Sequence, residues 1–203
     1  MGNRSAPPRE DQRVRLTRQL LQNAFVEILA EKPVQRVSVV ELCARAGVNR
    51  GTFYLHYHDV YDLLERMEAD VLDDLDALLA STPVIVSGAS REQGDGFIRA
   101  LMAFFEKNRE MCAILLGENG DRRFVADIIE RAREKSVREY RQRYPGTSDE
   151  KVETFYYFVA WGFIGLLQRS LLHPQALSFE RLALHAERIL EQAARFFTEE
   201  QGG

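Results

Sequence analysis

Residues 48–59 read VNRGTFYLHYHD, a stretch that is aromatic and polar at once. It contains one phenylalanine, two tyrosines, two histidines, one arginine and one glycine. Core segments rarely carry so many polar side chains, and surface segments rarely carry so many aromatic ones. The composition therefore predicts a short helix that is packed on one face and meets a polar partner on the other.

The residues just before this stretch predict a second helix followed by a tight turn. Residues 38–41 (SVVE) match the capping box that opens a helix, here over 39–45. Gly47 follows where a helix often ends in left-handed backbone, and Asn49 can cap the next helix. Two short helices joined by AGVN have the layout of a helix-turn-helix, which presents its second helix to the major groove of DNA.

A longer helix precedes this unit, and another follows it. The preceding helix carries apolar residues at i, i+4 and i+7 from Leu21 and ends at Lys32-Pro33. Asp59 can cap the long fourth helix. Residues 82–96 hold a proline and several glycines and are predicted to form a loop.

The second half of the chain consists of further helical segments. Thr147 with Glu150 is a candidate cap for one of them, and Ser178 caps the last. The other predicted helices lie at about 97–107, 109–116, 122–143 and 152–172. No strand-like alternation of useful length occurs, so the predicted fold is all-α with about nine helices.

Charge is distributed unevenly along the chain. The net charge is -4, but residues 1–58 hold nine Lys or Arg against five acidic residues, a local charge of +4. The remaining residues therefore carry -8. A basic head on an acidic body indicates that the head binds a polyanion and the body does not. The predicted division is a disordered tail over 1–12, a helix-turn-helix domain over 13–60 and a helical body over 61–200.

The sequence argues against several classes of protein. The N-terminal residues lack the apolar segment of a secretory signal, and the apolar run over 155–167 is too short to span a membrane. Cys43 and Cys112 match no metal spacing, so we predict a reduced cytoplasmic protein with buried thiols. No nucleophile elbow, phosphate-binding glycine loop or metal-ligand cluster appears. We therefore predict no catalytic residues, metal site or cofactor.

Residues 37–64 (VSVVELCARAGVNRGTFYLHYHDVYDLL) resemble the DNA-binding domain of the tetracycline-repressor (TetR) family of bacterial regulators. The residues that match the family pattern are Ala44, Ala46, Gly47, Val48, Gly51, Phe53, Tyr54, His56, Tyr57, Asp59 and Leu63. Residues 97–128, with their NRE, LL, NGD and F elements, resemble the C-terminal domain of one branch of the same family.

The resemblance implies a homodimer whose two recognition helices enter successive major grooves of a palindromic operator in double-stranded DNA. It also implies that the body is a ligand-binding and dimerisation domain, in which a small-molecule effector of unknown identity alters the spacing of the heads. Activators occur in the family, but repressors are more numerous, so a repressor is expected. A helical module that binds a protein partner is the alternative function.

The resemblance also assigns roles in the head. Asn49, Arg50 and Thr52 lie where the family contacts base edges, and an arginine can read guanine through its paired donors. The residues expected at phosphates are Tyr54, His56 and Ser38, joined by Arg15 and Arg18 on the grounds of charge and position. The family usually has a lysine near the start of the fourth helix, where residues 58–61 here read HDVY. Either His58 or Tyr61 substitutes, or the N-terminal arginines carry more of the backbone contact.

The body holds candidate residues for a ligand pocket and a dimer interface. The predicted pocket residues are Met102, Phe105, Met111, Cys112, Leu115, Phe155, Tyr156 and Trp161. Their character indicates a mostly apolar or aromatic effector. The helix over 152–172 is apolar on nearly every side and must be covered on several faces. With the last helix it predicts a four-helix-bundle dimer whose interface contains Gly162, Gly165, Leu182, Ala186, Ile189 and Ala193.

Overall fold

The computed structural model describes residues 9–83, 91–117 and 122–197 of the chain. Within these residues there are nine α-helices, two short 3-10 helices and no β-strand, which confirms the predicted all-α fold. The α-helices are α1 (Arg9–Glu31), α2 (Val39–Ala46), α3 (Arg50–Tyr54), α4 (Val60–Ser81), α5 (Arg91–Lys107), α6 (Arg109–Leu115), α7 (Arg122–Arg143), α8 (Asp149–Leu172) and α9 (Phe179–Ala193). The 3-10 helices are Val34–Arg36 and Ala194–Phe197. None of the helices in the described part is long and apolar enough to cross a lipid bilayer.

The chain divides into two compact units, Met1–Ala69 and Asp70–Gly203. The division falls inside α4, later than the boundary after residue 60 that the sequence suggests. The predicted tail over 1–12 is too long, because α1 already begins at Arg9. Residues 9–12 contain neither glycine nor proline, so the helix can extend through them. Residues 1–8 lie outside the described part of the chain.

The first unit is organised around side chains that α1, α2 and α3 bury together. Leu21, Phe25 and Ile28 form the inner face of α1 and have no solvent exposure. Leu42 of α2 and Phe53 of α3 are also fully buried. Each such side chain stabilises the fold by roughly 1.5–3 kcal/mol relative to its exposed state. The short α3 is therefore held in place by the core of this unit.

Side-chain caps open both α2 and α3, and a glycine ends α2 at the turn between them. The Ser38 hydroxyl oxygen accepts a hydrogen bond from the Glu41 amide (3.2 Å), and the Asn49 side-chain oxygen accepts one from the Gly51 amide (2.8 Å). Gly47 has a φ of 65°, in the left-handed region that favours glycine. The caps and the glycine turn predicted from the sequence are therefore confirmed.

The second unit contains the end of α4 together with α5 to α9. Helix α8 packs against α6, α7 and α9, and α5 packs against α9. The Ser178 hydroxyl oxygen caps α9, as predicted, by accepting from the Arg181 amide (3.3 Å). The predicted Thr147 cap of α8 is wrong by one residue. Ser148 takes that role, and its hydroxyl oxygen accepts from the Lys151 amide (3.3 Å).

Helix α5 begins earlier than the sequence suggests. Its first residue is Arg91, within the segment 82–96 that was expected to be a loop. Gly94 and Gly96 each cost a helix about 1 kcal/mol relative to alanine. Burial of Phe97 and other apolar side chains further along the same helix offsets that cost. Residues 84–90 of the expected loop lie outside the described part of the chain.

Replacing Phe53 with alanine is expected to destabilise the first unit by about 3–5 kcal/mol, because it leaves a cavity where a fully buried ring now packs. Urea unfolding followed by circular dichroism measures the effect. Leu55→Ala is the matched control, since Leu55 is 81% exposed and its loss is expected to change the free energy of unfolding by less than about 0.5 kcal/mol. Equal losses in the two variants would contradict the assignment of Phe53 as the anchor of α3.

Candidate nucleic-acid interface and ligand cavity

Helix α3 has a buried side and an exposed side. Phe53 is fully buried, whereas the next residue, Tyr54, is 52% exposed. Asn49 and Arg50 are exposed at the start of the helix, and Thr52 is half-buried. The helix therefore presents amide, guanidinium and phenol groups to a partner while its aromatic ring holds it to the core.

The capping residues keep hydrogen-bond donors for such a partner. Asn49 uses its side-chain oxygen for the Gly51 amide, which leaves the side-chain NH₂ group to donate elsewhere. Ser38 uses its oxygen as an acceptor for the Glu41 amide, and its hydroxyl proton can still be donated. Both residues are exposed, so both donors are accessible from solvent.

His56 lies in a positive environment beside α1. The pKa of the imidazole is lowered from its ordinary value, first by partial burial and second by the positive charge of Arg18. The ring of His56 also lies 6.3 Å, centroid to centroid, from that of the buried Tyr57. An anion placed between His56 and Arg18 would relieve the repulsion between a protonated His56 and the guanidinium.

The N-terminus of α4 is occupied by the chain's own carboxylates. The Asp59 side chain accepts hydrogen bonds from the amides of Tyr61 (2.8 Å) and Asp62 (2.9 Å). The Asp62 carboxylate accepts from the His58 amide (2.8 Å) and pairs with Arg66, which holds the pKa of Asp62 below its ordinary value. A helix N-terminus would otherwise attract phosphate. Here the amides of Tyr61 and Asp62 are already used, and the carboxylates offset the positive end of the helix dipole.

The second unit contains a partly open cavity of about 100 Å³. It lies among α4, α5, α7, α8 and α9, and its walls are almost entirely apolar. The lining residues are Leu75, Leu79, Phe97, Ile98, Leu101, Phe105, Ile128, Ile129, Ala132, Ser136, Tyr140, Tyr156, Val159, Ala160, Phe163, Ile164 and Leu190.

Most of the predicted pocket residues lie elsewhere. Of the eight, only Phe105 and Tyr156 line this cavity. Met102, Cys112, Leu115 and Phe155 are buried outside its walls, Met111 is half-buried, and Trp161 is 53% exposed. The apolar character of these residues predicts burial for most of them, but it does not show which side of each helix faces the cavity.

Helix α7 contributes more of the unpredicted cavity-lining residues than any other helix. Its composition is strongly charged, which does not indicate a pocket wall. Its cavity-lining residues nevertheless recur at every fourth position. They are Ile128, Ala132, Ser136 and Tyr140, with Ile129 beside them. This i, i+4 stripe is the signal that marks the inner face of an amphipathic helix.

The buried thiol of Cys112 is shielded from chemistry. Cys112 has no exposed surface, and burial raises its pKa to about 12. The thiolate, which is the reactive form, is therefore scarce near neutral pH. Burial also raises the pKa of Cys43. These environments favour two inert core cysteines.

The outer surface of α8 and α9 carries exposed apolar side chains. Phe158 is 78% exposed, Trp161 and Ile189 are each 53% exposed, and Leu184 is 47% exposed. We name Phe158, Trp161 and Ile189 the α8–α9 apolar face, and Leu184 is not part of it because it lies about 140° around α9 from Ile189. Gly162 and Gly165 are also exposed, and a methyl group at either would meet no atom within 4 Å.

Two residues predicted at the dimer interface are buried in the core instead. Leu182 has no exposure and Ala186 has 5%, so neither is accessible to a second chain. Ala193 is half-buried, whereas Ile189 is exposed. Ile189 lies about 20° around the helix from Leu182, so the heptad-like spacing on α9 combined core positions with an exposed position at the edge of the same stripe.

Comparison with known proteins identifies both units. Residues 23–67 match the family described as "Bacterial regulatory proteins, tetR family", and residues 93–192 match the "Transcriptional regulator C-terminal region". The chain belongs to the TetR family. It is therefore a DNA-binding regulator of transcription and not an enzyme.

This TetR-family protein has relatives by sequence and relatives by structure. The "Uncharacterized HTH-type transcriptional regulator YxbF" of Bacillus subtilis (strain 168) is 34% identical over 87 residues, which are 40% of this chain and 22% of that protein. A TetR regulator from Streptococcus agalactiae 2603V has a similar structure, with 22% identity, a TM-score of 0.61, and coverage of 89% of this chain and 97% of that one. SmeT, described as the repressor of a multidrug efflux pump of Stenotrophomonas maltophilia, has 17% identity, a TM-score of 0.62, and coverage of 87% and 89%. The two structural likenesses show the shared fold.

The predicted DNA contacts can now be placed on this TetR head. Arg15, Arg18, Ser38, Asn49, Arg50, Tyr54 and His58 are exposed, and Thr52 and His56 are half-buried. The C-terminal NGD element of the predicted family branch falls within residues 118–121, which lie outside the described part of the chain.

The histidine environment generates two pH dependences of opposite sign. The free protein should lose stability as the pH falls through about 6.5, because the pKa of His56 is lower in the folded than in the unfolded chain. DNA affinity should instead rise from about pH 8 to about pH 6, because a phosphate beside His56 stabilises the imidazolium. Thermal unfolding and fluorescence anisotropy measure the two quantities.

His56→Gln is expected to reduce both dependences, whereas the control His185→Gln, an exposed position on α9, should leave them unchanged. Identical pH profiles of DNA affinity in the wild type and His56→Gln would rule out a phosphate contact by His56.

Proposed function

We propose that this protein is a homodimeric repressor that binds a palindromic operator and leaves it when a small molecule occupies the cavity of the second unit. The observation that carries the proposal is the two-sided α3, where Phe53 is fully buried while Asn49, Arg50 and Tyr54 are exposed. Its place of action is the bacterial cytoplasm, where the DNA is.

The head reads DNA through two groups of residues. Asn49, Arg50 and Thr52 contact base edges from the start of α3, with the Arg50 guanidinium suited to guanine. Phosphates are contacted by Ser38, Tyr54, His56, Arg15 and Arg18. His58 or Tyr61 can add a side-chain contact near α4, but Asp59 and Asp62 already use the backbone donors there. The contribution of α4 to phosphate binding is therefore small, and α1 and α3 carry most of it.

The α8–α9 apolar face provides the dimer interface. Exposed aromatic and aliphatic side chains at Phe158, Trp161 and Ile189 cost solvation free energy unless a partner covers them. Gly162 and Gly165 let the partner helix approach closely, since no side chain separates the backbones. Two helices from each chain form a four-helix bundle, and a twofold axis is the arrangement that a palindromic operator requires.

A shared helix supports coupling between the cavity and the head. Leu75 and Leu79 of α4 line the cavity, while Leu63 and Met67 of the same helix are buried. Leu63 and Met67 belong to the first unit, and Leu75 and Leu79 belong to the second. A molecule that displaces the two leucines therefore acts on the helix that both units contain, which biases the position of the heads.

Removing the reading arginine tests the DNA interface. Arg50→Ala is expected to weaken operator binding by about ten- to hundredfold, because a bidentate contact to guanine discriminates between bases by about that factor. Tyr54→Phe should weaken all sequences alike by a few-fold. Fluorescence anisotropy with the DNA upstream of the protein's own gene, against a scrambled duplex, measures both effects.

The control is Arg138→Ala, which removes the same charge from an exposed position in the second unit and should not affect DNA binding. If an Arg50→Ala, Tyr54→Phe double variant bound the operator as tightly as the parent, the proposed interface would be wrong.

A charge on the α8–α9 apolar face tests the dimer. Trp161→Glu with Ile189→Glu should convert the protein to a monomer, because each change buries a carboxylate at the interface. Light scattering measures the mass, and binding to a full palindrome should fall far more than binding to a half-site. Leu55→Glu is the control for the mass, since Leu55 is 81% exposed, and Arg138→Glu, at an exposed position of the second unit, is the control for DNA binding. A variant that stays dimeric would place the interface elsewhere.

A further inference from the structure

The cavity of the second unit is uncharged. Each residue that lines it is aliphatic, aromatic or a hydroxyl bearer, and no acidic or basic residue of the described chain is among them. The nearby Lys135 and Glu139 of α7 lie outside the walls and pair with each other (3.4 Å). A charged ligand would lose its hydration in this cavity without gaining a counter-charge. The walls therefore select a neutral molecule.

Three hydroxyl groups line the cavity, and two of them are already engaged. The Ser136 hydroxyl donates to the carbonyl oxygen of Ala132 (2.7 Å), and the Tyr156 hydroxyl donates to the carbonyl oxygen of Ile129. The Tyr140 hydroxyl has no hydrogen-bond partner among the described residues. Tyr140 is only 7% exposed. The hydroxyl is therefore available to donate, and a ligand atom that accepts this hydrogen bond gains affinity.

Tyr140 is fixed in position by its neighbours. Its ring centroid lies 5.1 Å from that of Phe155 and 5.6 Å from that of Phe197. Burial raises the pKa of Tyr140, so the hydroxyl keeps its proton and can donate at neutral pH. A rigid donor at the edge of an apolar cavity orients a ligand as well as holding it.

The size of the cavity limits the ligand further. Its volume is about 100 Å³. An apolar protein cavity of roughly 150 Å³ accommodates benzene, so this smaller cavity must widen by about half to take one ring, and a single ring with a short substituent is the upper limit. Phe97, Phe105 and Phe163 supply aromatic surface for such a ring.

Resting on the proposed function, we infer that the effector is a neutral, single-ring or similarly small apolar molecule with one hydrogen-bond acceptor, which the Tyr140 hydroxyl binds. Its body fills the space between α5, α7 and α8, and its acceptor atom points to the C-terminal half of α7. Carboxylates and amines of the same size are excluded by desolvation.

Four probes of the same size and shape test separately the need for a neutral ligand and the need for a hydrogen-bond acceptor. Acetophenone has a neutral ring with a carbonyl acceptor, and α-methylstyrene replaces that carbonyl with a methylene group. Benzoate and benzamidinium place a negative and a positive charge at the same position. Isothermal titration calorimetry on the full-length protein measures binding, and the operator complex is monitored separately by anisotropy.

Acetophenone is expected to have the highest affinity of the four. It should bind about three- to tenfold more tightly than α-methylstyrene, the difference that one hydrogen bond makes. Both charged probes should bind at least about a hundredfold more weakly. Tyr140→Phe should lower acetophenone affinity to that of α-methylstyrene and leave α-methylstyrene unchanged. Tyr144→Phe is the matched control, because Tyr144 stacks beside Tyr140 (6.4 Å between centroids) but does not line the cavity.

The inference is overturned if a charged probe binds most tightly, if none of the four probes binds, or if Tyr140→Phe binds acetophenone as well as the wild type does. Failure of the proposed function has a different signature, since the ligand-free protein would then not bind its upstream DNA or would stay on it with acetophenone bound. A wild-type thermal unfolding profile in Tyr140→Phe confirms that the variant is folded.

Discussion

Helix α3 is five residues long, and an isolated helix of that length is unstable in water. Its existence depends on Phe53, which has no exposed surface, and on Tyr57, whose ring centroid lies 5.7 Å from that of Phe53. Because these two aromatic residues occupy the inner side, the polar residues Asn49, Arg50 and Tyr54 lie on the outer side. The proposed DNA-reading surface is thus a consequence of core packing.

Electrostatics distribute the proposed DNA contacts unevenly over the head. Arg18 and the partly buried His56 form a site that favours an anion, since bringing in negative charge relieves their mutual repulsion. The first turn of α4 has the opposite character, because the Asp59 carboxylate accepts from two of its amides and Asp62 adds further negative charge. Residues 58–61, where the family resemblance leads one to expect a lysine, therefore coincide with a helix start whose carboxylates disfavour phosphate.

Local signals in the sequence predicted most of the fold. Caps at Ser38, Asn49 and Ser178 and the left-handed Gly47 are set by neighbouring residues, so short patterns suffice to find them. The start of α5 was missed because packing along the rest of the helix overrides the cost of its glycines. The exposed face of α3 followed from the family pattern, since each role there attaches to one position in a motif.

The cavity and the exposed apolar face of α8 and α9 were harder to predict, since both depend on which side of a helix meets another helix. Apolar residues on α8 and α9 were identified, but spacing alone did not separate Leu182, which is in the core, from Ile189, which is exposed. Tyr140 was missed because α7 is dominated by charged residues. Its inner stripe becomes meaningful only when the helices around it are in place.

The aromatic cluster at the end of the chain has a practical consequence for anyone who works with this protein. Phe197 is 3% exposed and stacks on Tyr144 (4.6 Å) and Tyr140 (5.6 Å), so residues near the C-terminus form the outer support of a cavity wall. A purification tag or a reporter fused tightly at that end, or a protease that trims it, would disturb this support while leaving the head intact. Loss of this support would change the response to small molecules while leaving the proposed DNA-contacting residues unchanged.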